Sequence, residues 1–112
     1  MRKISNKQKK INEKLRQVYI EIANERAAYC EGCGRSDVSL SHSHIVPRSR
    51  RSDLICEKNN IQYLCLSMGD RKGCHDLWES RDKNKLLCYH KNLEYILLVD
   101  IEYYFLITEL NA

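Results

Sequence analysis

The sequence predicts an α+β protein in which helices flank a small, irregular ββ unit. Apolar residues recur at helical spacing near the N-terminus and again in the last third of the chain. The stretch between them, residues 29–75, holds all four glycines, the single proline and five of the six cysteines. Because this stretch has no sustained helical period, we expect short strands and loops that are held together by a local stabilising site. The predicted order is helix, ββ unit, helix, helix.

Length and composition limit the class of protein. The 112 residues suit a single domain, 1–112, with one modest hydrophobic core. No apolar run approaches the roughly 20 residues that a membrane-spanning helix needs. The N-terminus also lacks the apolar core of a signal peptide. We therefore expect a soluble, cytoplasmic protein without a membrane partner.

The first element is a basic helix predicted over residues 5–28, within an N-terminal segment 1–28. Either Ser5 or Asn6 can serve as its N-cap. The net charge is +4, and the basic residues are concentrated toward the N-terminus, whereas residues 93–112 contain no lysine or arginine. This asymmetry favours a polyanionic partner at one end, although a solvated helix face explains the N-terminal cluster equally well. The apolar stripe of the helix consists of Ile11, Leu15, Val18 and Ile22.

The rest of the chain divides into a central core, 29–82, and a C-terminal helical segment, 83–112. A short helix is predicted to begin at His75 and to run to Ser80 or past Asp82. One long amphipathic helix is then predicted toward the C-terminus. Its periodic positions are Leu93, Ile96, Leu97, Ile101, Tyr104, Phe105, Thr108 and Leu110.

Four cysteines form two pairs at spacings that suit a metal site. Cys30 and Cys33 frame a C-x2-C knuckle followed by Gly34, while Cys65 and Cys74 flank a glycine-containing loop. Glycine supplies the positive φ that a tight knuckle often needs. Four thiolates bind zinc tetrahedrally, with Zn–S distances of about 2.3 Å. Since six cysteines without a secretion signal argue against disulfides, we predict a structural zinc site.

The other cysteines allow other interpretations. Cys56 is a rival zinc ligand, but it ends an apolar run, 54–56, that favours packing. Cys88 follows two leucines and is predicted to belong to the core. A set of small buried thiols without a metal is the alternative for the whole group. A thiol redox protein is disfavoured because the knuckle lacks a surrounding βαβ pattern.

Three further segments follow the knuckle in a fixed order. They read S-H-S-H-I-V-P-R-S (41–49), N-N-I-Q-Y-L-C (59–65) and C-H-D-L-W-E (74–79). Together with the knuckle, this order resembles the zinc-stapled form of the HNH endonuclease family, in particular small proteins of phages and mobile elements. The resemblance covers residues 30–79. It implies a ββα-metal finger, in which a hairpin carries H-I-x-P and a helix follows the last histidine.

The resemblance also implies an activity, the metal-dependent hydrolysis of DNA phosphodiester bonds. His44 matches the histidine before I-x-P and would be the general base. Asn60 matches the middle asparagine, which braces the hairpin in the family. His75 matches the final histidine and would bind the catalytic ion, held in place by the adjacent zinc ligand Cys74.

One position departs from the family pattern and affects the expected metal ligands. The residue before the general base is usually an aspartate or histidine that binds the ion, whereas this chain has Ser43. His42 is one candidate to compensate, although it shares a strand face with His44 and not with residue 43. Glu79 is the other, because it lies four residues after His75 on a helix. Its carboxylate would suit Mg²⁺ or another divalent ion.

Basic residues in two loops are candidates for DNA contacts. Guanidinium groups bind phosphate in a bidentate manner, so these loops could contact the backbone without reading sequence. A solvated loop is the alternative. The candidates are Arg48, Arg50, Arg51, Arg71 and Lys72.

The C-terminal segment is strongly apolar and suggests a partner. Part of its surface exceeds what one small finger can cover, so a homodimer through this segment is one prediction. Packing against the N-terminal helix is the alternative. A second function also stays open because of Ser43: a catalytically weak or inactive zinc finger of HNH descent that binds nucleic acid or protein.

Overall fold

In the computed structural model, which describes residues 5–110 and omits the side chain of Leu110, helices flank a two-stranded antiparallel sheet. The α+β class is therefore confirmed. Arg2 and Lys3 of the predicted basic segment lie outside the described residues. The helices are α1 (Asn6–Glu25), α2 (Cys74–Trp78), α3 (Tyr89–Val99) and α4 (Ile101–Leu110), and the strands are β1 (Leu40–His44) and β2 (Ile61–Cys65).

Helix α1 begins where the sequence predicts and ends earlier. Ser5 is its N-cap, since its hydroxyl accepts a hydrogen bond from the backbone N–H of Gln8 at 3.1 Å. The prediction of a helix over 5–28 is wrong at the C-terminal end, because Arg26 has an extended backbone conformation. Its guanidinium donates to the carbonyl oxygen of Ile61 at 2.5 Å, so a tertiary contact ends the helix.

The sheet positions the histidines of the H-x-H sequence. β1 and β2 pair antiparallel, with His44 opposite Ile61, and residues 45–60 connect them. Successive side chains of a strand point to opposite faces. His42 and His44 therefore lie on one face of the sheet, and Ser43 lies on the other.

Two hydrophobic clusters cover the sheet, one on each face, where the sequence predicts a single core. All five residues of β2 are buried, so neither face can be left to solvent. The stripe of α1 packs on one face against Ile55, Ile61 and Tyr63. The second cluster contains residues of α2, α3 and α4. The buried α1 residues are Leu15, Val18 and Ile22.

The C-terminal segment differs from its prediction. The single long helix is wrong, because the chain leaves the helical region at Asp100, with φ −157° and ψ 84°. The carboxylate of Asp100 accepts a hydrogen bond from the backbone N–H of Tyr103 at 3.1 Å and thereby caps α4. Helix α2 is also shorter than predicted and ends at Trp78, whose indole N–H donates to the carbonyl of Ile45.

The apolar surface of α3 and α4 is partly exposed. Leu98 is 86% exposed, and Ile101 and Phe105 are each 55% exposed. The interior side of the two helices packs in the cluster opposite α1. The homodimer through this surface stays a prediction. Within residues 5–110, no helix is both long and apolar enough to cross a membrane.

Candidate metal centre and active-site cleft

The four predicted zinc ligands lie together. The thiol sulfurs of Cys30, Cys33, Cys65 and Cys74 all lie within 4.8 Å of one another. The Sγ atoms of Cys33 and Cys65 are 3.9 Å apart. This is close to the roughly 3.8 Å edge of a ZnS₄ tetrahedron with 2.3 Å bonds. The donor set therefore fits a metal ion such as zinc.

Hydrogen bonds to the sulfurs also fit ligation. The backbone N–H of Cys65 donates to the Sγ of Cys30 at 3.2 Å, and that of Cys74 donates to the Sγ of Cys65 at 3.3 Å. Burial opposes ionisation of Cys65, but the backbone N–H of Cys74 and the guanidinium of Arg71 lower the pKa of its thiol to about 6. Burial and the neighbouring Cys30 raise the pKa of Cys74. A bound cation would remove this conflict by stabilising all four thiolates.

Two glycines allow the cysteines to approach. A Cβ at Gly32 would lie 2.8 Å from the Cβ of Cys74, so a side chain there would displace this cysteine. A Cβ at Gly73 would lie 2.4 Å from the carbonyl oxygen of Cys65. Gly34 has the positive φ, +82°, that the sequence predicts for the knuckle.

The two remaining cysteines lie outside this group. Cys56 is half-buried beside α1, and its thiol points to the carbonyl of Ile11 at 3.9 Å. Cys88 is buried in the larger hydrophobic cluster, as the sequence predicts. Burial raises the pKa of its thiol to about 11, so it stays protonated.

A separate cleft of about 590 Å³ lies beside the sheet and brings the candidate catalytic residues together. Its walls come from α1, β1, the connection after β1 and α2. The residues that concern the chemistry are Tyr19, His42, His44, Arg48, His75 and Glu79.

His44 has the hydrogen bonding of a neutral base. Its Nε2 lies 2.8 Å from the carbonyl oxygen of Ile55. A carbonyl only accepts, so Nε2 carries the proton and the lone pair of the neutral ring is on Nδ1. Burial lowers the pKa of His44, and the nearby charge of Arg48 lowers it further. The imidazole is therefore neutral at physiological pH.

Asn60 braces the connection that follows β1. Its side chain is fully buried, and its Oδ1 accepts from the backbone N–H of Val46 at 2.8 Å. Its Nδ2 donates to the carbonyl oxygens of Val46 and Leu54 at 3.1 and 3.2 Å. This arrangement is the bracing role that the family resemblance implies. Asn60 acts on the shape of the hairpin and not on a reacting group.

His75 and Glu79 form a pair that also lines the cleft. The Nε2 of His75 lies 3.4 Å from a carboxylate oxygen of Glu79, one helical turn along the chain. The carboxylate of Asp76, which the sequence analysis did not select, lies within 4.8 Å of both groups. An imidazole nitrogen with carboxylate oxygens fits a divalent cation. The Nδ1 of His75 is 2.5 Å from the hydroxyl of Ser43.

His42 has a different environment from the one that a ligand of the catalytic ion requires. Its ring stacks on Tyr19 of α1, with centroids 3.9 Å apart and planes 15° apart. It also contacts the ring of Tyr63 at 5.3 Å. His42 lies outside the group of close ligand atoms that contains His75. Burial lowers its pKa, and the neighbouring His44 adds to this effect.

The predicted phosphate contacts have different environments. Arg48 is exposed at the cleft, and Lys72 is exposed in its loop. Arg50 instead pairs with Asp100 at 2.7 Å. Arg51 pairs with Asp53 and donates to the carbonyl of Val99. Arg71 donates to the Sγ of Cys65 and to the carbonyl of Leu66. Three of the five candidates therefore stabilise the fold through contacts within the protein.

No family model, curated protein or solved structure matches this chain.

Two cleft residues were missed by the sequence analysis. Tyr19 flanks the apolar stripe of α1, and no local pattern connects it with His42. Lys83 extends over the ring of Trp78 at 5.5 Å and donates to the carbonyl of Ser80 at 2.8 Å. Burial lowers the pKa of this lysine. The nearby charge of Glu79 acts in the opposite direction.

Proposed function

We propose that this chain is an HNH-type, metal-dependent endonuclease that hydrolyses DNA phosphodiester bonds. The observation that carries the proposal is the shared cleft, which is lined by His44 of β1, by His75 of α2 and by Glu79, the residue that directly follows α2. Arg48 lies at the same cleft and offers a phosphate contact. The bracing of residues 45–60 by Asn60 supports the same interpretation.

His44 is the general base in this proposal. Its Nε2–H is bound to the carbonyl of Ile55, so its Nδ1 accepts the proton of the attacking water. The lowered pKa of His44 keeps this nitrogen unprotonated at physiological pH. His44 therefore needs no second residue to deprotonate it.

His75 and Glu79 are the proposed ligands of a divalent ion such as Mg²⁺. Asp76 is close enough to bind the same ion through a carboxylate oxygen or through a water molecule. When bound there, such an ion polarises the phosphoryl oxygens and stabilises the leaving oxygen. The four cysteines hold a separate structural zinc ion in this proposal. Cys74 and His75 are adjacent, so the structural site fixes the start of α2 and the position of His75.

Cleavage of supercoiled plasmid tests the proposal. Zinc-replete protein, freed of other divalent ions, is supplied with Mg²⁺, Mn²⁺ or Ni²⁺ in turn. We expect nicked or linear DNA with the wild type and a loss of at least about 100-fold in rate with His44→Ala, the usual contribution of a general base. His90→Ala is the matched control, because His90 is exposed and outside the cleft. Equal cleavage by wild type and His44→Ala would exclude the assigned base.

Ser43 favours a second candidate function. Its buried hydroxyl is bound to His75 and stands where the family usually has an aspartate or histidine ligand. A weakened ion site would leave a zinc finger that binds nucleic acid or protein without cutting. If the wild type shifts DNA on a gel but does not cut with any ion, this second function replaces the first.

A further inference from the structure

Two serine hydroxyl groups on the sheet face opposite α1 form a hydrogen-bonded series that ends at His75. The hydroxyl of Ser41 donates to the carbonyl oxygen of Leu64 at 2.9 Å and lies 3.0 Å from the hydroxyl of Ser43. The hydroxyl of Ser43 is in turn 2.5 Å from the Nδ1 of His75. Ser43, the middle group, is only 2% exposed, so its hydroxyl is shielded from water. The proposed function leaves both serines without a role.

The direction of these hydrogen bonds follows from the number of protons. The carbonyl of Leu64 only accepts, so the single hydroxyl proton of Ser41 is used there. Ser43 must then donate its own proton to Ser41. Its oxygen can therefore only accept from His75, which requires a proton on Nδ1. The lone pair of the neutral ring is then on Nε2, the nitrogen that faces Glu79.

The opposite tautomer is less favourable by the same count. With the proton on Nε2, His75 would donate to Glu79 across 3.4 Å, which is long for a hydrogen bond. Ser43 would have to donate to Nδ1, and Ser41 could no longer satisfy both Ser43 and Leu64. One buried hydrogen bond would be lost. The carboxylate of Glu79 is 64% exposed and can be solvated by water, so it gives little in return.

We propose that Ser41 and Ser43 are positioning residues that fix His75 as its Nδ1–H tautomer and direct the Nε2 lone pair to a divalent ion. The ion part rests on the proposed function. A hydroxyl at position 43 then has a role that differs from ligation. It orients the ligand His75 from behind, as carboxylates or carbonyls often do for metal-binding histidines.

Nuclear magnetic resonance of ¹⁵N-labelled, zinc-replete protein at mildly alkaline pH tests the tautomer directly. Long-range ¹H–¹⁵N correlations distinguish a protonated ring nitrogen from one with a lone pair. For the wild type we expect Nδ1 to be protonated and Nε2 to be free before any further metal is added. Ser43→Ala and Ser41→Ala should each shift His75 toward the Nε2–H form. Ser39→Ala is the control, since Ser39 is exposed and directly precedes β1.

Titration with Mn²⁺ separates this inference from the proposed function. We expect Ser43→Ala to weaken Mn²⁺ binding by about 10-fold, a typical loss when an orienting partner is removed. An unprotonated Nδ1 of His75 in the wild type would overturn the proposed role of the two serines. An unchanged His75 tautomer in both serine variants would overturn it as well. If both serine substitutions change the His75 tautomer as expected but Mn²⁺ does not bind to the wild type, the proposed role of the serines stands and the proposed ion site fails.

Discussion

At the scale of single residues, the buried side chain of Asn60 stabilises the connection between the two strands of the hairpin. Replacing it with alanine leaves the buried N–H of Val46 without an acceptor and removes two further hydrogen bonds. We expect Asn60→Ala to lower the free energy of unfolding by about 3 kcal/mol, measured by urea denaturation. The exposed neighbour gives the control, Asn59→Ala, which should change stability by less than about 0.5 kcal/mol. Equal effects of the two variants would contradict the bracing role.

Arg48 and Arg50 differ in what their guanidinium groups bind, although the sequence presents them alike. Arg48 is exposed at the cleft, whereas Arg50 pairs with Asp100 and lies over the ring of Tyr103 at 4.9 Å. We expect Arg48→Ala to weaken DNA binding and to reduce the slope of log affinity against log salt by about one. Fluorescence anisotropy with a labelled duplex, without added divalent ion, measures both quantities.

Arg50→Ala is the matched comparison for this prediction. Because its charge is already neutralised by Asp100, the variant should lose stability and keep the salt slope of the wild type. A smaller slope for Arg50→Ala than for Arg48→Ala would show that the two assignments are reversed.

At the scale of elements, Asp100 connects three parts of the fold. Its carboxylate caps α4 through the N–H of Tyr103, and its ion pair with Arg50 holds the connection after β1 against the α3–α4 junction. We expect Asp100→Ala to lower the free energy of unfolding by about 1–2 kcal/mol, since both the cap and the pair are lost. Asp100→Asn should lose less, because asparagine also caps helices well.

The same residue predicts a pH dependence. The hydrogen bond from Arg50 holds the pKa of Asp100 below its ordinary value of 3.8. The folded state thus favours the charged carboxylate, and its contribution is present above that pH and lost as the pH falls through the folded pKa. Urea denaturation of the wild type should show this loss on acidification below about pH 4. The loss should be smaller in Asp100→Asn and unchanged in Glu102→Gln, whose side chain is 89% exposed.

The elements also show how far the sequence could predict this fold. Periodicity located α1, with Ser5 as one of its two candidate caps, and the cysteine spacing identified the four cysteines that lie together, because both signals are local. The break at Asp100 was missed, since the apolar period continues through it and its ion-pair partner, Arg50, is distant in sequence. Likewise, the alternation of Ser41 and Ser43 was visible, but only the position of α2 connects them with His75.

At the scale of the whole molecule, the cysteine cluster joins three segments that are distant in sequence. Cys30 and Cys33 follow α1, Cys65 ends β2, and Cys74 begins α2. Structural zinc contributes a binding free energy on the order of 10 kcal/mol in small domains. This is comparable with the total stability of a small domain, about 5–15 kcal/mol. We therefore expect the proposed zinc ion to decide whether the chain folds.

Removal of zinc tests this dependence. We expect a strong chelator to unfold the protein, seen as loss of far-ultraviolet circular dichroism, and added Zn²⁺ to restore the signal. Cys74→Ala should contain no stoichiometric zinc by elemental analysis, because three ligands remain. Cys56→Ala, a half-buried cysteine outside the cluster, should keep one ion per chain and fold. A chelated wild type with unchanged dichroism and melting temperature would instead mean that the two hydrophobic clusters suffice to fold the chain.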